Sequence, residues 1–325
     1  MRVYFDADAD LALMRGKKVA VAGYGNQGRA QALNLRDSLA SDVRIALRDG
    51  SRSAAGATSE GFEVMAPLHA AAWADILVVL LPDEEQGTFY SRIEAALRPG
   101  AALVFAHGFS IHFRLIEPRA DLDVLLVAPK GPGTALREEY RAGGGLVSLV
   151  AVAQDASGTA EALALSYAAA LGSGRIGILP TSFAEECEAD LFNEQAVLWA
   201  TIPELILAGY ETLVDAGFSP EVAYLECVSE VKLIADLIHG RGIAGMRQAI
   251  SNTAEFGALK GGCRIIGQDA RTEMRRILRE VRSGQFAEDL LAEAKTGYKR
   301  LSASRAEAER HPMEEVGARL RALKP

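Results

Sequence analysis

Short apolar runs, rich in β-branched residues, recur through the first 180 positions and are separated by stretches with helical spacing. VAVAG (19–23), VRIAL (43–47), ILVVLL (76–81), ALVFA (102–106), VLLVA (124–128), VSLVAV (147–152) and RIGIL (175–179) each read as a strand, most bounded by Gly, Pro or Asp. Most are apolar throughout rather than alternating, which predicts strands buried on both faces. Such strands alternating with helices form a doubly wound α/β sheet that is largely parallel.

The pattern changes after Pro180-Thr181. Residues 185–208 and 221–238 carry apolar positions three and four apart, the spacing of helices. Between them AGFSPE (216–221) reads as a helix stop and restart, with Gly217 as C-cap and Ser219-Pro220 opening the next helix. The expected organisation is an α/β domain over 1–180 and an all-helical domain over 181–325. The latter ends in the amphipathic segment EEVGARLRAL.

Acidic residues interrupt the apolar stripes of the helical half. Asp190 with Glu194, and Glu226 with Glu230, are spaced i, i+4 and so share a helix face about one turn apart. Like charges at that spacing repel, and carboxylates among apolar neighbours are costly to bury alone. A solvated face is the plain alternative. A hard divalent cation such as Mg²⁺, which takes oxygen ligands, resolves both costs.

The first strand leads into Gly23-Tyr24-Gly25-Asn26-Gln27-Gly28, a G-x-G-x-x-G that opens a helix. The glycines allow a tight turn and close approach to a pyrophosphate on the helix N-terminus. After the second strand comes Arg48-Asp49-Gly50-Ser51-Arg52-Ser53. Two arginines and two hydroxyls suit a 2′-phosphate, which favours NADPH. Asp49 could serve the ribose of NAD or simply a turn, and a solvated polar loop is the bland reading. Loops after later strands, LLPDEEQ (80–86), Ala106-His107-Gly108-Phe109 and Pro129-Lys130-Gly131-Pro132-Gly133, fall where a ligand crevice is expected. They make His107 and Lys130 candidate polar groups and Gly133 a candidate cofactor contact, against a turn histidine and a surface lysine.

Composition narrows the classes. A chain of 325 residues is long enough for two domains. A net charge of −8 without a basic cluster argues against general nucleic-acid binding. Three scattered cysteines are too few for a disulfide framework or a zinc site and suit a reducing, cytoplasmic setting. The acidic start MRVYFDADADLAL is not the pattern of a secretory signal, and ILVVLL is too short to span a bilayer, so no membrane is expected.

Together these motifs resemble the short, bacterial-type (class I) ketol-acid reductoisomerases, also called acetohydroxy acid isomeroreductases. The stretches that carry the likeness are GKKVAVAGYGNQG (16–28), FAHGFSIHF (105–113), APKGPG (128–133), D-L-F-x-E-Q-A-V-L (190–198), E-C-x-x-E-x-K-L-I (226–234), GIAGMRQAISNTAEFG (242–257) and HPMEEVGARLR (311–321). The resemblance implies a Rossmann domain followed by a helical, knotted domain that intertwines in a homodimer. It implies NADPH held by Gly23, Tyr24, Gly25, Gln27, Gly28, Arg48, Ser51, Arg52, Ser53 and Gly133. It implies two Mg²⁺ ions, with Asp190 bridging, Glu194 completing one shell, and Glu226 and Glu230 supplied by the partner. Ser251 would hold the substrate carboxylate, while His107, Lys130 and Glu230 would be catalytic.

The implied reaction is alkyl migration in 2-acetolactate or 2-aceto-2-hydroxybutanoate and then reduction to a 2,3-dihydroxy acid, in branched-chain amino acid synthesis. The chain departs from the family pattern at Asn193 (usually Gly), at Trp199-Ala200-Thr201 (usually Cys-Gly-Gly) and at Thr134 (usually His). Trp199 could narrow a substrate pocket, but filling a core gap is the commoner fate of a helical Trp. A diverged paralogue reducing another 2-keto acid and a non-catalytic NADP-binding oligomer are the competing readings.

Overall fold

The structure, a computed structural model, describes residues 1–39 and 42–323. It divides into two compact units, Met1–Ala189 and Asp190–Pro325. The division falls inside a helix, about ten residues beyond the change of sequence texture at Pro180.

The first unit is an eight-stranded sheet. Its strands are β1 (Val19–Ala22), β2 (Val43–Ala46), β3 (Val64–Met65), β4 (Ile76–Val79), β5 (Ala102–Phe105), β6 (Asp123–Pro129), β7 (Ser148–Gln154) and β8 (Ile178–Pro180), in the order β3-β2-β1-β4-β5-β6-β7-β8. All neighbours run parallel except β6 and β7, which pair antiparallel with a register shift at Val124/Leu125. The order reverses at β1, which has β2 on one side and β4 on the other. That reversal places a crevice at the carboxyl ends of the strands, the usual ligand position in such sheets.

Helices cover both faces: α1 (Asn26–Leu39), α2 (Ala54–Ser59), α3 (Pro67–Trp73), α4 (Asp83–Ile93), α5 (Phe109–His112), α6 (Gly133–Arg141), α7 (Ala160–Ala170) and α8 (Phe183–Asn193). Along β1 the side chains alternate between two cores. Val19 and Val21 join Ile45, Ile76, Leu35 and Tyr167 on one side, and Ala20 and Ala22 join Leu77, Leu103, Ala70 and Ile93 on the other. This two-sided burial is why the strands read as unbroken apolar runs.

The second unit is all helical: α9 (Thr201–Asp215), α10 (Pro220–Tyr224), α11 (Val231–Ala249), α12 (Asn252–Ile265), α13 (Gln268–Ser283), α14 (Gln285–Lys295), α15 (Lys299–Glu309) and α16 (Pro312–Arg321). Gly217 (φ +90°) ends one helix and Ser219 and Pro220 start the next, as the sequence indicated. Its small core gathers Tyr210, Ala223, Tyr224 and Val316, with the terminal helix α16 supplying Met313 and Leu320. Much apolar surface of this unit is uncovered in the single chain, including Trp199, Leu205, Leu233, Ile243, Phe256, Leu259 and Ile265. The run Phe183–Asp215 is long and apolar enough to cross a membrane by length and composition alone. It carries Glu185, Glu186, Glu188, Asp190 and Glu194, which does not suit a lipid environment.

Candidate active site

The glycine motif forms the turn from β1 into α1. Gly23 has φ +100°, and a Cβ there would lie 2.5 Å from the Leu80 carbonyl oxygen. A Cβ on Gly28 would collide with the Gly23 carbonyl, and one on Gly133 with the Asn26 backbone. The motif thus brings three backbone segments together with no room for side chains, as a pyrophosphate cradle at a helix start requires. Tyr24 turns its hydroxyl to Glu60 (2.5 Å), and Gln27 donates from Nε2 to the Gly131 carbonyl (2.9 Å). Both side chains are therefore engaged in positioning neighbouring loops.

Gln27 belongs to a chain of bonds that runs into the core. Gln31 Nε2 donates to Gln27 Oε1 (3.2 Å), and Tyr167 Oη donates to Gln31 Oε1 (2.8 Å). Gln31 and Tyr167 are fully buried. The chain ties the glycine motif to the loop that carries Lys130. Tyr167→Phe leaves the Gln31 oxygen without its donor and is expected to cost about 1–2 kcal/mol of stability. Urea unfolding checks this, and an unchanged midpoint would show that the hydroxyl contributes nothing.

A cleft of about 550 Å³ opens at the ends of β2, β3 and β4. Arg48, Ser51, Leu68, Leu81, Glu85, Phe89 and Arg92 are among the residues that line it. Arg52 is exposed beside it, and Ser53 immediately precedes α2 without a side-chain capping bond. Among the described residues, the ion pairs include Arg29, Arg36 and Arg44 but neither Arg48 nor Arg52. The loop of Arg48 to Ser53 therefore offers two uncommitted cations at the mouth of an apolar cleft.

His107 and Lys130 follow β5 and β6, and the structure joins them through a residue that the sequence reading did not single out. Glu186 on α8 is buried and accepts from His107 Nδ1 (3.0 Å), from the Gly108 backbone N–H (2.8 Å) and from Lys130 Nζ (2.9 Å). Burial alone would raise its pKa, but the His107 and Lys130 cations hold the carboxyl below the usual range. For His107, burial works toward the neutral ring. The Cys187 thiol (4.0 Å from Nε2) and the Glu186 carboxylate outweigh it and push the pKa up to about 11. Glu186 lies four residues before Asp190 on α8, so both project from one helix face. It could have been sought as the earlier member of an acidic i, i+4 series, but Glu185 and Glu188 beside it hid which carboxylate turns inward.

Asp190 and Glu194 are half-buried, and Glu226, Glu230 and Ser251 are exposed in the single chain. Beside the second pair Leu225, Leu233 and Ile234 are exposed as well in the single chain. One member of each pair lies in a π-helical turn, Glu194 in Glu194–Leu198 and Glu226 in Leu225–Ser229. There the bonds run from Trp199 N–H to the Glu194 carbonyl (3.1 Å) and from Glu230 N–H to the Leu225 carbonyl (3.3 Å). Such widened turns are frequent at functional sites. Ser251 caps α12, its Oγ accepting from the Ala254 N–H (3.2 Å). Trp199 does not fill a core gap. It caps the first π turn and is 68% exposed.

Comparison with known proteins matches this layout. Residues 13–177 match the acetohydroxy acid isomeroreductase, NADPH-binding domain family, and residues 183–325 the ketol-acid reductoisomerase, C-terminal domain family. A solved NADH-preferring ketol-acid reductoisomerase from an uncultured archaeon is 43% identical over 99% of both chains, with a TM-score of 0.96. More distant structures share the fold alone. A semialdehyde dehydrogenase NAD-binding protein from Cupriavidus necator is 16% identical over 82% of this chain and 99% of its own (TM-score 0.64). A pyrroline-5-carboxylate reductase from Coxiella burnetii is 15% identical over 82% and 99% (TM-score 0.58). With an α/β dinucleotide-binding domain followed by the all-helical domain, both matched along their length, this chain belongs to the ketol-acid reductoisomerase family.

Proposed function

We infer that this chain works as a ketol-acid reductoisomerase in branched-chain amino acid biosynthesis, using NADPH and Mg²⁺ and acting as a homodimer. The activity follows from family membership across both domains. The observation that carries the site reading is the buried Glu186 carboxylate, which gathers His107 and Lys130 on the helix that continues to Asp190.

The donor set fits a hard cation. Asp190, Glu194, Glu226 and Glu230 offer only carboxylate oxygens, at spacings that are unfavourable without one. Asp190 and Glu194 would hold the metal from one protomer. Glu226 and Glu230 would approach from the partner, which explains their exposure beside uncovered apolar residues in the single chain. When bound, divalent cations acidify the substrate hydroxyl and polarise its ketone, and the nicotinamide supplies hydride.

The chain's own residues do the rest. Glu186 fixes the His107 ring through Nδ1 and the Lys130 ammonium through Nζ, so that both present protons from set positions. The Gly108 N–H bond keeps the Glu186 carboxylate itself from rotating. Ser251 would orient the substrate carboxylate. Trp199, far bulkier than the small residue usual there, bears on substrate range or on the partner interface.

The NADPH assignment rests on Arg48 and Arg52, whose guanidinium groups suit a 2′-phosphate. The preference for NADH belongs to the archaeal relative. Arg52→Asp is expected to raise the KM for NADPH about tenfold, one lost charge-assisted contact, and to leave that for NADH nearly unchanged. If both constants stay as they were, the loop does not read the phosphate.

A further inference from the structure

We propose that Glu60 is a positioning residue for the dinucleotide: its carboxylate locks the ribose-side loop, Arg48 to Ser53, to the glycine motif on the pyrophosphate side. The loop begins at the end of β2 and runs directly into α2, which Glu60 caps at its C-terminal end. Helix α2 has only six residues, and Ala57 is its sole buried side chain. A helix that short has little stability of its own, so its position is set by what holds its ends.

Glu60 supplies that hold. Its carboxylate accepts from Tyr24 Oη (2.5 Å), from Arg29 Nε (2.9 Å) and from Arg29 Nη2 (2.5 Å), and its backbone carbonyl accepts from Arg36 Nη1 (2.6 Å). Tyr24 lies between the first two glycines of the motif, and Arg29 directly follows the third. The grip is braced on its inner side. The Tyr24 ring meets Phe62 edge-on with centroids 5.8 Å apart, and the Arg36 guanidinium lies 4.5 Å over the same Phe62 ring. Glu60 thus connects the two halves of the dinucleotide site without lining the cleft itself. A loop held in one position binds without first being selected from several, and releasing it divides the affinity by the fraction that remains competent.

The inference rests on the reading of this cleft as the dinucleotide site, and its test separates the two. In Glu60→Gln one amide oxygen replaces two carboxylate oxygens, so it cannot serve Tyr24 and both Arg29 nitrogens together. NADPH and NADH dissociation constants, followed by fluorescence titration, are compared in wild type and variant alongside steady-state kinetics. The expected result is a rise of about fivefold or more in the NADPH dissociation constant, with kcat at saturating NADPH within about twofold and the KM for 2-acetolactate unchanged. Tyr24→Phe, which keeps the ring on Phe62 and removes one arm, is expected to raise it about twofold.

A lower melting temperature with unchanged dissociation constants would make Glu60 merely structural and overturn the proposal. So would tighter binding, produced by an Arg29 freed to reach a phosphate, or a proportionate fall in kcat. Should Glu60→Gln fail to fold, an unchanged constant in Tyr24→Phe overturns the proposal by itself. Wild-type affinity for NADH equal to or above that for NADPH removes the 2′-phosphate reading alone. Weaker binding of either cofactor in Glu60→Gln still supports the positioning role.

Discussion

Glu186→Gln is expected to lower turnover at least about a hundredfold, the scale of losing a preorganised electrostatic contact. It is also expected to destabilise the α/β unit by about 3 kcal/mol, the low end for breaking a buried ion pair. The carboxylate is 1% exposed and serves three donors, so an amide in its place leaves His107 and Lys130 competing for one neutral oxygen. The low end applies because the Lys130 side chain is 35% exposed and regains some hydration when released.

The same cluster gives the metal-free protein a defined pH response. The His107 pKa is raised in the folded state, so its contribution is complete below the unfolded value of 6.5. That contribution is lost as pH rises toward about 11. The Glu186 pKa is depressed, so its contribution is complete above the unfolded value of 4.5 and is lost as pH falls through the folded value. Both are fully present between about pH 4.5 and 6.5. Urea midpoints measured without metal are expected to fall on either side of that window in wild type, and to change much less in Glu186→Gln. A wild-type midpoint that is flat from pH 6.5 to 10 would remove the ion pair.

Asp190→Asn is expected to have the largest effect on activity. It sits one helical turn after Glu186 and one before Glu194. The amide keeps the shape but removes a charge from the proposed ligand set, which is made only of carboxylates. Mg²⁺-dependent turnover should fall by about a thousandfold or more, the upper range for losing an electrostatic contact made at the reacting centre. The heat of Mg²⁺ binding should shrink with it, whereas NADPH affinity, set by the α/β unit, should change less than about twofold. Normal Mg²⁺ binding in Asp190→Asn would move the metal elsewhere.

Much of the sheet was legible because strands buried on both faces leave unbroken apolar runs. β3 escaped because Val64 and Met65 form a pairing too short to leave such a run. The run 147–152 marked β7 as a strand but not its antiparallel direction, because an apolar run does not encode strand direction. The glycine motif and the loops of His107 and Lys130 were readable from punctuation around strands. Glu186 was not, since a tract with Glu at 185, 186 and 188 reveals its inward member only when packed. The π turns at both acidic pairs lie outside a 3.6-residue periodicity. Trp199 was expected in a core on helical-Trp precedent, but the turn that it caps points it outward.

The most direct measurement is NADPH oxidation by the purified protein with 2-acetolactate, with and without Mg²⁺. Mg²⁺-dependent turnover is expected, with formation of the 2,3-dihydroxy acid. No turnover with 2-acetolactate, but reduction of 3-hydroxy-3-methyl-2-oxobutanoate, would mean that reduction survives without isomerisation. Silence with both substrates, in protein that binds NADPH, would contradict the catalytic reading.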